Sequence, residues 1–497
     1  MTYTPLKHIV FLPCPPWGHL RPGLETSLRM VKKFPELFIS RFTYHSEVPK
    51  AMKYLGAQSA AYASRVRVVT ATNSEADPPL SPGNEINVIT SFEKSFRLWI
   101  TNELQEATII QLDGRPVNKP SLIMEDIFAG CISPECKDIH KLPIVGCAQE
   151  IGNNGASILE KVVQNNAQDE DILSNGVQKY PQNISHRLVC LPGIPSCYEW
   201  EFATQDFSPL QPLLLHLMGR LRDMMKHIDT AVCCTTFEFE PIAAAALSNT
   251  FSINPFFIGP SVDLASPHKP DPDSPVTQFL DYAYTEKGAR SVIYVAFGTV
   301  SFPPPSSMSL LMTALDEIPK AGFRFIFALS SPSAQLDQSW MDAHVQAGNA
   351  IFPEWTNQTA VLEHPAIHYF LSHGGWNSST EAIVRGVPIL FWPIAGDQPL
   401  NAVQIAAIHD CGFELLQVRT GPAKSISYQN GTEVEIVGTD DAVREEMKRI
   451  LALTKGPRGE HQRMNVQLLG RVVARSLGSG GSGDVELERF GRELGLV

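Results

Sequence analysis

The sequence predicts an α/β protein with two doubly wound parallel sheets, and three observations point to this class. Short β-branched runs alternate with helix-type patterns, as where "HIVFLP" is followed by "LETSLRMVKKF". The strand-type runs are apolar throughout, which is typical of parallel strands covered by helices on both faces. A segment rich in Pro, Asp and Ser, residues 259–275, divides the chain into two halves that are each large enough for such a sheet.

The length of 497 residues exceeds one ordinary domain, and we expect two. We predict an N-terminal domain over residues 1–260, a linker over 261–275 and a C-terminal domain over 276–483. The closing residues 484–497 predict an amphipathic helix that packs back on the N-terminal domain. The preceding "GSGGSG" has dinucleotide-type glycine spacing, but no strand comes before it, so it predicts a loop. Ligands of doubly wound sheets lie at the carboxyl ends of the strands, so we expect the site in a cleft between two facing sheets.

Composition and charge exclude several classes of protein. The formal charge of −12 and the lack of a basic cluster argue against a nucleic-acid partner. No segment approaches about 18 uninterrupted apolar residues, so we expect no membrane span. The nine cysteines are scattered without metal-type spacing, which indicates reduced thiols and a cytoplasmic protein.

One dense stretch begins with the strand-type run "AIHYFLS", continues with "HGGW" and opens a helix at "NSSTEAIVRG". A strand, a glycine turn and a helix N-terminus form an anion site, because unpaired N–H groups and the positive end of the helix dipole converge there. Gly374 and Gly375 allow close backbone approach, and Asn377 and Ser378 add donors. Ser378 also stands at capping-box spacing from a glutamate three residues on, which would need no ligand.

A second helix start follows "FWPIAGDQPLNA" and places Asp397 and Gln398 at the carboxyl end of a strand. A carboxylate beside an amide suits sugar hydroxyls, because each group accepts or donates in directions that its plane fixes. The same pair is also compatible with an ordinary helix cap.

The 44 residues from 355 to 398 resemble the C-terminal signature box of the UDP-dependent glycosyltransferases that modify small molecules in plants and related lineages. Further family landmarks follow in order along the chain: "GHLRP", "IMED", "LPGIP", "SVIYVAFGT" and "GSGGSG". Asn357 replaces the family's usual proline, and Thr299 replaces a common serine. The positions shared without a gap are Trp355, Gln358, His364, Pro365, His373, Gly375, Trp376, Asn377, Ser378, Glu381, Gly386, Val387, Pro388, Pro393, Asp397 and Gln398.

The resemblance implies the GT-B fold, which consists of two facing Rossmann-like domains, and a binding site for the UDP nucleoside. Trp355 would stack on uracil, and the backbone around Thr356 together with Gln358 would position the base. Glu381 would hold the ribose hydroxyls.

The resemblance also assigns the two phosphates of UDP. Asn377 and Ser378 would bind the α-phosphate, and His373 with Thr299 would bind the β-phosphate. The helix N-terminus and His373 would absorb the charge of the leaving group, so we expect no metal and no cofactor besides the UDP-sugar co-substrate.

The transferred sugar would be gripped by Asp397 and Gln398 together with the backbone of Trp376. Glutamine at the position of Gln398 accompanies glucose in many family members. We therefore expect UDP-glucose as the preferred donor.

His19 and Asp126 are the expected catalytic residues. His19 follows the first strand and precedes the first helix, and Asp126 closes another apolar strand of the same sheet. A neutral imidazole can take a proton from an attacking hydroxyl. Asp126 resembles the family's aspartate partner, which would fix the tautomer of the histidine and stabilise its imidazolium.

The expected reaction is inverting transfer of a sugar to a hydroxyl of a small apolar acceptor. A single displacement needs one base and no carboxylate nucleophile. The N-terminal half is expected to form the acceptor pocket, where each aromatic candidate could also be ordinary core. These candidates are Trp17, Phe96, Trp99, Phe128 and Trp200.

Other classes of protein make different demands on the sequence. A nicotinamide-dependent oxidoreductase needs a glycine fingerprint in a βαβ unit with an acidic residue about 20 residues further on, and no convincing match occurs. A non-catalytic binder of nucleotide sugars would keep the C-terminal box and lose His19 or Asp126. A UDP-sugar epimerase of the same architecture, which would release UDP without an acceptor, stays open as an alternative.

Overall fold

The structure is a computed structural model, and it describes most of the chain. The described residues are 4–14, 17–70, 84–105, 111–126, 142–148, 188–206, 216–217, 220, 224, 227–250, 253–264, 271–299, 302–421, 424–429 and 431–496.

Strands and helices alternate along most of the described chain. The strands are β1 Leu6–Leu12, β2 Leu37–Phe42, β3 Val66–Val69, β4 Gln111–Leu112, β5 Arg115–Asp126, β6 Ile144–Ala148, β7 Leu188–Val189, β8 Cys197–Tyr198, β9 Thr230–Cys233, β10 Asn254–Phe257, β11 Val292–Ala296, β12 Arg324–Ala328, β13 Ala350–Ile351, β14 Ile367–Ser372, β15 Ile389–Phe391, β16 Gly412–Glu414, β17 Ile426–Gln429 and β18 Thr432–Glu435. The helices are α1 Trp17–Lys33, α2 Val48–Gly56, α3 Ala60–Ala63, α4 Glu85–Gln105, α5 Pro241–Thr250, α6 Pro275–Lys287, α7 Met308–Lys320, α8 Gln338–Gln346, α9 Gln358–Glu363, α10 Trp376–Val384, α11 Gln398–Ala402, α12 Asp440–Thr454, α13 Pro457–Leu477 and α14 Ser482–Glu493.

The chain divides into two compact units. The first unit comprises residues 1–177, 208–261 and 475–497, and the second comprises 178–207 and 262–474. The boundary therefore falls at the start of the predicted linker, and α6 already begins within that linker. Helix α14 lies in the first unit.

The first unit contains a sheet whose described strands follow the order β10-β9-β6-β5-β1-β2-β3, all parallel, with β4 antiparallel to β5. Both faces of this sheet are buried. Ile9 and Phe11 pack with the apolar face of α1, and Val10 and Leu12 pack with α4 on the opposite face. The successive side chains of β1 thus separate into two cores, as expected for a doubly wound sheet.

The second unit contains a parallel sheet in the order β13-β12-β11-β14-β15-β16. Ile293 and Val295 pack with residues of α7 and α12. Tyr294, between them on β11, stacks on Phe370 of β14 with ring centroids 4.9 Å apart. Both faces of this sheet are therefore buried as well.

The region 188–206 belongs to the second unit, although we predicted it in the N-terminal domain. The physical reason is a buried ion pair. Arg419 donates to Glu201 Oε2 at 2.9 Å and to Glu414 Oε1 at 2.7 Å. Trp200 donates from its indole nitrogen to the carbonyl of Ile426 at 2.9 Å, so this region is tied to β17.

The predicted strands of the dense stretch and of the chain start are confirmed, with one change at the first helix. Helix α1 begins at Trp17, so His19 lies in its first turn rather than in a turn before it. Pro22 lies near the start of α1, where it removes a single intrahelical bond. The first four residues of "GSGGSG", 478–481, form the predicted loop between α13 and α14, whereas Ser482 and Gly483 already belong to α14. Among the described helices, none is both long and apolar enough to cross a membrane.

Candidate active site

His19 and Asp126 are in direct contact in the first unit. Asp126 is the last residue of β5, which lies beside β1, and His19 stands on the helix that follows β1. Nδ1 of His19 donates to Oδ2 of Asp126 at 2.9 Å. The carboxylate side chain is 1% exposed and the imidazole is 22% exposed. Because Nδ1 carries the proton, Nε2 of the neutral ring is the nitrogen that can accept one.

The acceptor-pocket candidates lie in different surroundings. Trp17 is half-buried at the start of α1, with Lys50 Nζ 6.0 Å from its ring centroid. Trp99 is partly buried against Phe96, which is itself fully buried in the core of the first unit. Trp200 belongs to the second unit, where its ring stacks on Tyr198 at 4.3 Å, so its predicted place in the N-terminal half is wrong. Phe128 lies outside the described residues.

The glycine turn after β14 leads directly into α10 in the second unit. Gly374 has φ +86°, and Gly375 is the residue before the helix. A Cβ on Gly375 would lie 2.5 Å from Nε2 of His373, so glycine is required for this close approach. Ser378 is the third residue of α10, and no side chain caps the helix at Gly375. The capping-box alternative for Ser378 is therefore wrong.

Gln358, the first residue of α9, connects this helix to α10. Its Nε2 donates to Oε2 of Glu381 at 2.8 Å and approaches Oγ of Ser378 at 3.4 Å. Thr356 shares a hydrogen bond of 2.8 Å with the hydroxyl of Tyr294, a residue of β11 that sequence reasoning missed as a site residue. Nothing in the sequence singled out Tyr294, because it lies within the continuous apolar run "SVIYVAF".

Trp355 and Asn357 flank Thr356 and have different roles. The side chain of Trp355 is exposed, with 61% of its surface open, so its ring faces can be covered by a ligand. Asn357 accepts from the backbone N–H of Ala360 at 3.3 Å and thereby caps α9. The residue that replaces the family's proline therefore starts the helix by a side-chain cap.

His373 lies directly after β14 and is buried. Burial lowers the pKa of His373 to about 4, and a hydrogen bond with the backbone of Ala296 acts in the opposite direction. Ala296 pairs with Ser372, so the loop after β11, which carries Thr299, runs beside His373. A Cβ on Gly298 would lie 3.1 Å from the imidazole. This lowered pKa indicates a neutral His373 at pH 7, which can donate a hydrogen bond but carries no positive charge.

Asp397 and Gln398 are held by hydrogen bonds of their own loop. Oε1 of Gln398 accepts from the backbone N–H groups of Ile394 and Ala395, each at 2.9 Å. The side chain of Asp397 makes no helix-capping bond, so the ordinary-cap alternative is wrong for this residue. Its Oδ2 accepts instead from Nδ2 of Asn401.

Asn401 is a buried residue of the site that sequence reasoning missed. Its Nδ2 also donates to the carbonyl of Gly374 at 2.9 Å, so one amide joins Asp397 to the glycine turn before α10. The spacing of four residues from Asp397 on α11 is the signal that could have identified it. Among the described residues, no group of three or more His, Cys, Asp or Glu side chains could hold a metal ion.

The comparison with protein families matches residues 210–420 to the family described as UDP-glucoronosyl and UDP-glucosyl transferase. The anthocyanidin 3-O-glucosyltransferase 7 of Manihot esculenta is 32% identical over 270 residues, which are 53% of this chain and 88% of that protein. For three other curated relatives the chain spans only 44%, 58% and 64% of their length.

Two solved structures resemble the whole chain. Medicago truncatula UGT71G1 complexed with UDP-glucose has a TM-score of 0.71 at 20% identity and covers 98% of both chains. Phytolacca americana UGT2 complexed with UDP-2fluoro-glucose and pterostilbene has a TM-score of 0.71 at 18% identity, over 99% of this chain and 100% of that one. These likenesses confirm the GT-B fold class. With the match to nearly the full length of the Manihot enzyme, they show that the chain belongs to the UDP-glycosyltransferase family of enzymes.

Proposed function

We propose that this enzyme transfers glucose from UDP-glucose to a hydroxyl of a small apolar acceptor, with inversion at the anomeric carbon. The observation that carries the proposal is the 2.9 Å hydrogen bond between His19 and Asp126. It engages Nδ1 of His19 with the carboxylate, which supports Nε2 as the nitrogen that acts as the base. A lone base of this kind is what a single displacement requires.

The transfer step moves one proton and exchanges one bond. The hydroxyl of the acceptor gives its proton to Nε2 of His19 as its oxygen attacks the anomeric carbon. The bond from that carbon to the β-phosphate oxygen breaks, and its electron pair leaves with UDP. Asp126 stabilises the imidazolium that forms.

The phosphates of UDP are assigned to the N-terminus of α10. Its first backbone N–H groups have no intrahelical acceptor, and the helix dipole favours negative charge there. Asn377 and Ser378 stand in the first turn, and Thr299 and His373 supply further donors on the β-phosphate side. Since His373 is neutral at pH 7, the helix end carries most of the charge stabilisation, and we propose that no metal is needed.

The nucleoside is assigned to Trp355, Thr356, Gln358 and Glu381. The exposed indole of Trp355 offers a stacking surface for uracil, and the backbone around Thr356 and the side chain of Gln358 position the base. Glu381 faces the same place and has carboxylate oxygens suited to two ribose hydroxyls. The hydrogen bond from Gln358 to Glu381 holds both side chains in one orientation.

The sugar is assigned to Asp397 and Gln398 with the backbone of Trp376. The names of similar proteins support glucose, because the Manihot relative is a glucosyltransferase and the Medicago structure holds UDP-glucose. Pterostilbene in the Phytolacca structure supports a small, largely apolar, hydroxylated acceptor. Trp17 and Trp99 are the described aromatic candidates for its pocket that are only partly buried.

The test is a panel of phenolic and other hydroxylated acceptors incubated with UDP-glucose and read by mass spectrometry, with His19→Ala as the matched control. Because glucose is α-linked in UDP-glucose, inversion predicts a β-glucoside, which proton NMR identifies. Competition with UDP-galactose, UDP-xylose and UDP-glucuronate should favour UDP-glucose, and a chelator should leave the rate unchanged. UDP release without a glycosylated product would support an epimerase and contradict the proposal.

A further inference from the structure

Arg41 is a fully buried cation in the first unit. It lies on β2 opposite Phe11 of β1, and its guanidinium carbon is 4.0 Å from the centroid of the Phe11 ring. Nη1 donates to Oγ of Ser27 at 3.2 Å, whereas Nε and Nη2 have no hydrogen-bond partner among the described residues. Burying a cation is costly unless an opposite charge compensates it, so the position of Arg41 requires a nearby anion.

Helix α1 has space for this guanidinium because residue 23 is glycine. A Cβ on Gly23 would lie 2.2 Å from Nη2 of Arg41. His19, Gly23 and Ser27 are spaced by four residues and form one row on the helix face that covers the sheet. His19 contacts Asp126, Gly23 admits Arg41, and Ser27 accepts from Arg41. Along α1 the guanidinium therefore lies about one helical turn on the C-terminal side of His19.

The strand register leads from Arg41 to Asp126 on the same face of the sheet. Arg41 pairs with Phe11, and Phe11 pairs with Met124 of β5. Residues paired across parallel strands point to the same face, and side chains two apart on one strand share a face. Asp126, two residues beyond Met124, thus lies on the face that holds Arg41.

Three groups that can carry negative charge act on Arg41 from strands farther along the same sheet. They are Asp126 of β5, Cys147 of β6 and Cys234 just after β9. Burial lowers the pKa of Arg41 to about 9, and these three groups oppose that effect.

The two thiols have opposite shifts. A hydrogen bond with Cys234 and burial raise the pKa of Cys147 well above its usual value. The pKa of Cys234 is lowered to about 7, first by its hydrogen bond with Cys147, and Arg29 of α1 contributes. Asp126 is the carboxylate of this cluster and the group in it that contacts His19.

We propose that Arg41 is a positioning residue that acts through Asp126: it balances the buried carboxylate and so sets the pH range in which His19 works as the base. The inference rests on the proposed function. In the transfer step His19 gains the proton of the acceptor hydroxyl, and UDP leaves with the bonding electrons. The Asp126–His19 pair therefore gains one positive charge, which the positive charge of Arg41 disfavours. Removing the guanidinium makes the pair bind its proton more readily.

The decisive measurement is the pH profile of kcat/KM for Arg41→Met and Arg41→Lys. In Arg41→Met the pH of half-maximal activity on the acid side should rise by about one unit, the size expected for one charge two strand spacings away, or about 10 Å, at an effective dielectric constant of about 20. Arg41→Lys keeps the charge and should restore the original profile. If Arg41→Met folds and its pH of half-maximal activity on the acid side does not change, the proposal is contradicted.

Controls separate this role from a purely structural one. Arg463→Met removes another buried guanidinium, which donates to the carbonyl of His368 in the second unit, and should leave the acid limb in place. If Arg41→Met does not fold, Arg41→Met with Asp126→Asn removes both charges, and recovery of cooperative unfolding would support the pairing. Failure of that double variant to fold would overturn it. Full activity of His19→Ala would refute the proposed function, whereas an inactive His19→Ala with an unmoved Arg41→Met profile would refute the Arg41 role alone.

Discussion

The hydrogen bond from Nδ1 to Asp126 gives His19 a fixed tautomer and a fixed ring plane. Under the proposed function this arrangement serves the chemical step and contributes little to nucleotide binding, because the residues proposed to bind UDP all belong to the second unit. For Trp355 we propose the opposite, a role in binding and none in proton transfer. Substitutions of single side chains should therefore change either the rate of turnover or the affinity for UDP.

His19→Ala should lower kcat by about 10²- to 10⁴-fold, the range for a lost general base. UDP affinity measured by titration calorimetry should barely change. Asp126→Asn should show a milder loss of the same kind, because the base stays in place while its orientation and charge support are removed. Loss of UDP binding together with turnover would place His19 in the nucleotide site instead.

Trp355→Ala should weaken UDP binding by about 5- to 100-fold, because stacking of a base on an aromatic ring contributes about 1–3 kcal/mol. Trp355→Phe should recover part of the affinity. Trp340, on α8, serves as a control, since its indole nitrogen binds Asp316 at 2.9 Å and Trp340→Phe should leave UDP affinity unchanged. Equal affinity of Trp355→Ala and the wild type would assign uracil to another residue.

Helix α11 and the glycine turn before α10 are joined by a single amide. Asn401 contacts Asp397, the residue just before its helix, and the carbonyl of Gly374 on the turn, and it is 3% exposed. A buried carbonyl or carboxylate that loses its donor bears the full cost of desolvation. The position of the Asp397 carboxylate, which we propose binds the sugar, thus depends on Asn401 as well as on Asp397 itself.

Asn401→Ala should lower kcat/KM for UDP-glucose by about 10-fold or more, since an unsatisfied buried group costs about 1–3 kcal/mol. Affinity for UDP, which lacks the sugar, should stay within about twofold. Asn465→Ala is the matched control, because Asn465 also donates to a backbone carbonyl, that of Asp410 at 3.1 Å, away from the site. Equal losses for UDP and UDP-glucose would show that Asn401 merely supports the fold.

The stability of the whole chain depends on histidines that burial keeps neutral. In the described part of the chain, the pKa values of His8 and His368 are lowered to about 3 and that of His373 to about 4, in each case first by burial. Neighbouring cations add to the effect, Arg67 at His8 and Arg463 at His368. The unfolded chain binds protons at these sites near pH 6.5, and the folded chain does not.

Stability should therefore fall as the pH decreases from about 6.5 towards 4. Over this range the unfolded state holds more protons than the folded state, so the free energy of unfolding rises with pH, by up to about 1.4 kcal/mol per pH unit for each histidine. Denaturant unfolding between pH 7.5 and 4.5 measures the slope. His8 reports on the first unit, and His368 and His373 report on the second.

His368→Phe tests this account directly. The ring of His368 stacks on Phe323 with centroids 4.6 Å apart, and in the part of the chain that the structure describes its buried Nε2 has no hydrogen-bond partner. Phenylalanine therefore keeps the stacking and removes the titration. The acid-side slope of the second unit should become flatter without loss of stability at pH 7.5. An unchanged slope would show that His368 does not contribute to acid unfolding.

The amino-acid sequence by itself determined the class of fold and most of the residues that we assign to the UDP-sugar. Alternating strand and helix patterns are local, because each element forms from the spacing of its own apolar residues. The strand–glycine–helix arrangement around Gly374 and Gly375 is also local, since it occupies one continuous stretch. Local patterns therefore gave the order of elements, the glycine turn and the family resemblance.

Tertiary structure alone decided which distant residues meet. His19 and Asp126 are 107 positions apart, and their contact requires β1 and β5 to be neighbours in the sheet. The burial of Arg41 against Gly23 and the attachment of region 188–206 to the second unit through Glu201 depend in the same way on long-range packing. Strand order and the balance of buried charge depend on how the whole chain packs. A contact across a sheet cannot be inferred from the spacing of residues that are neighbours in sequence.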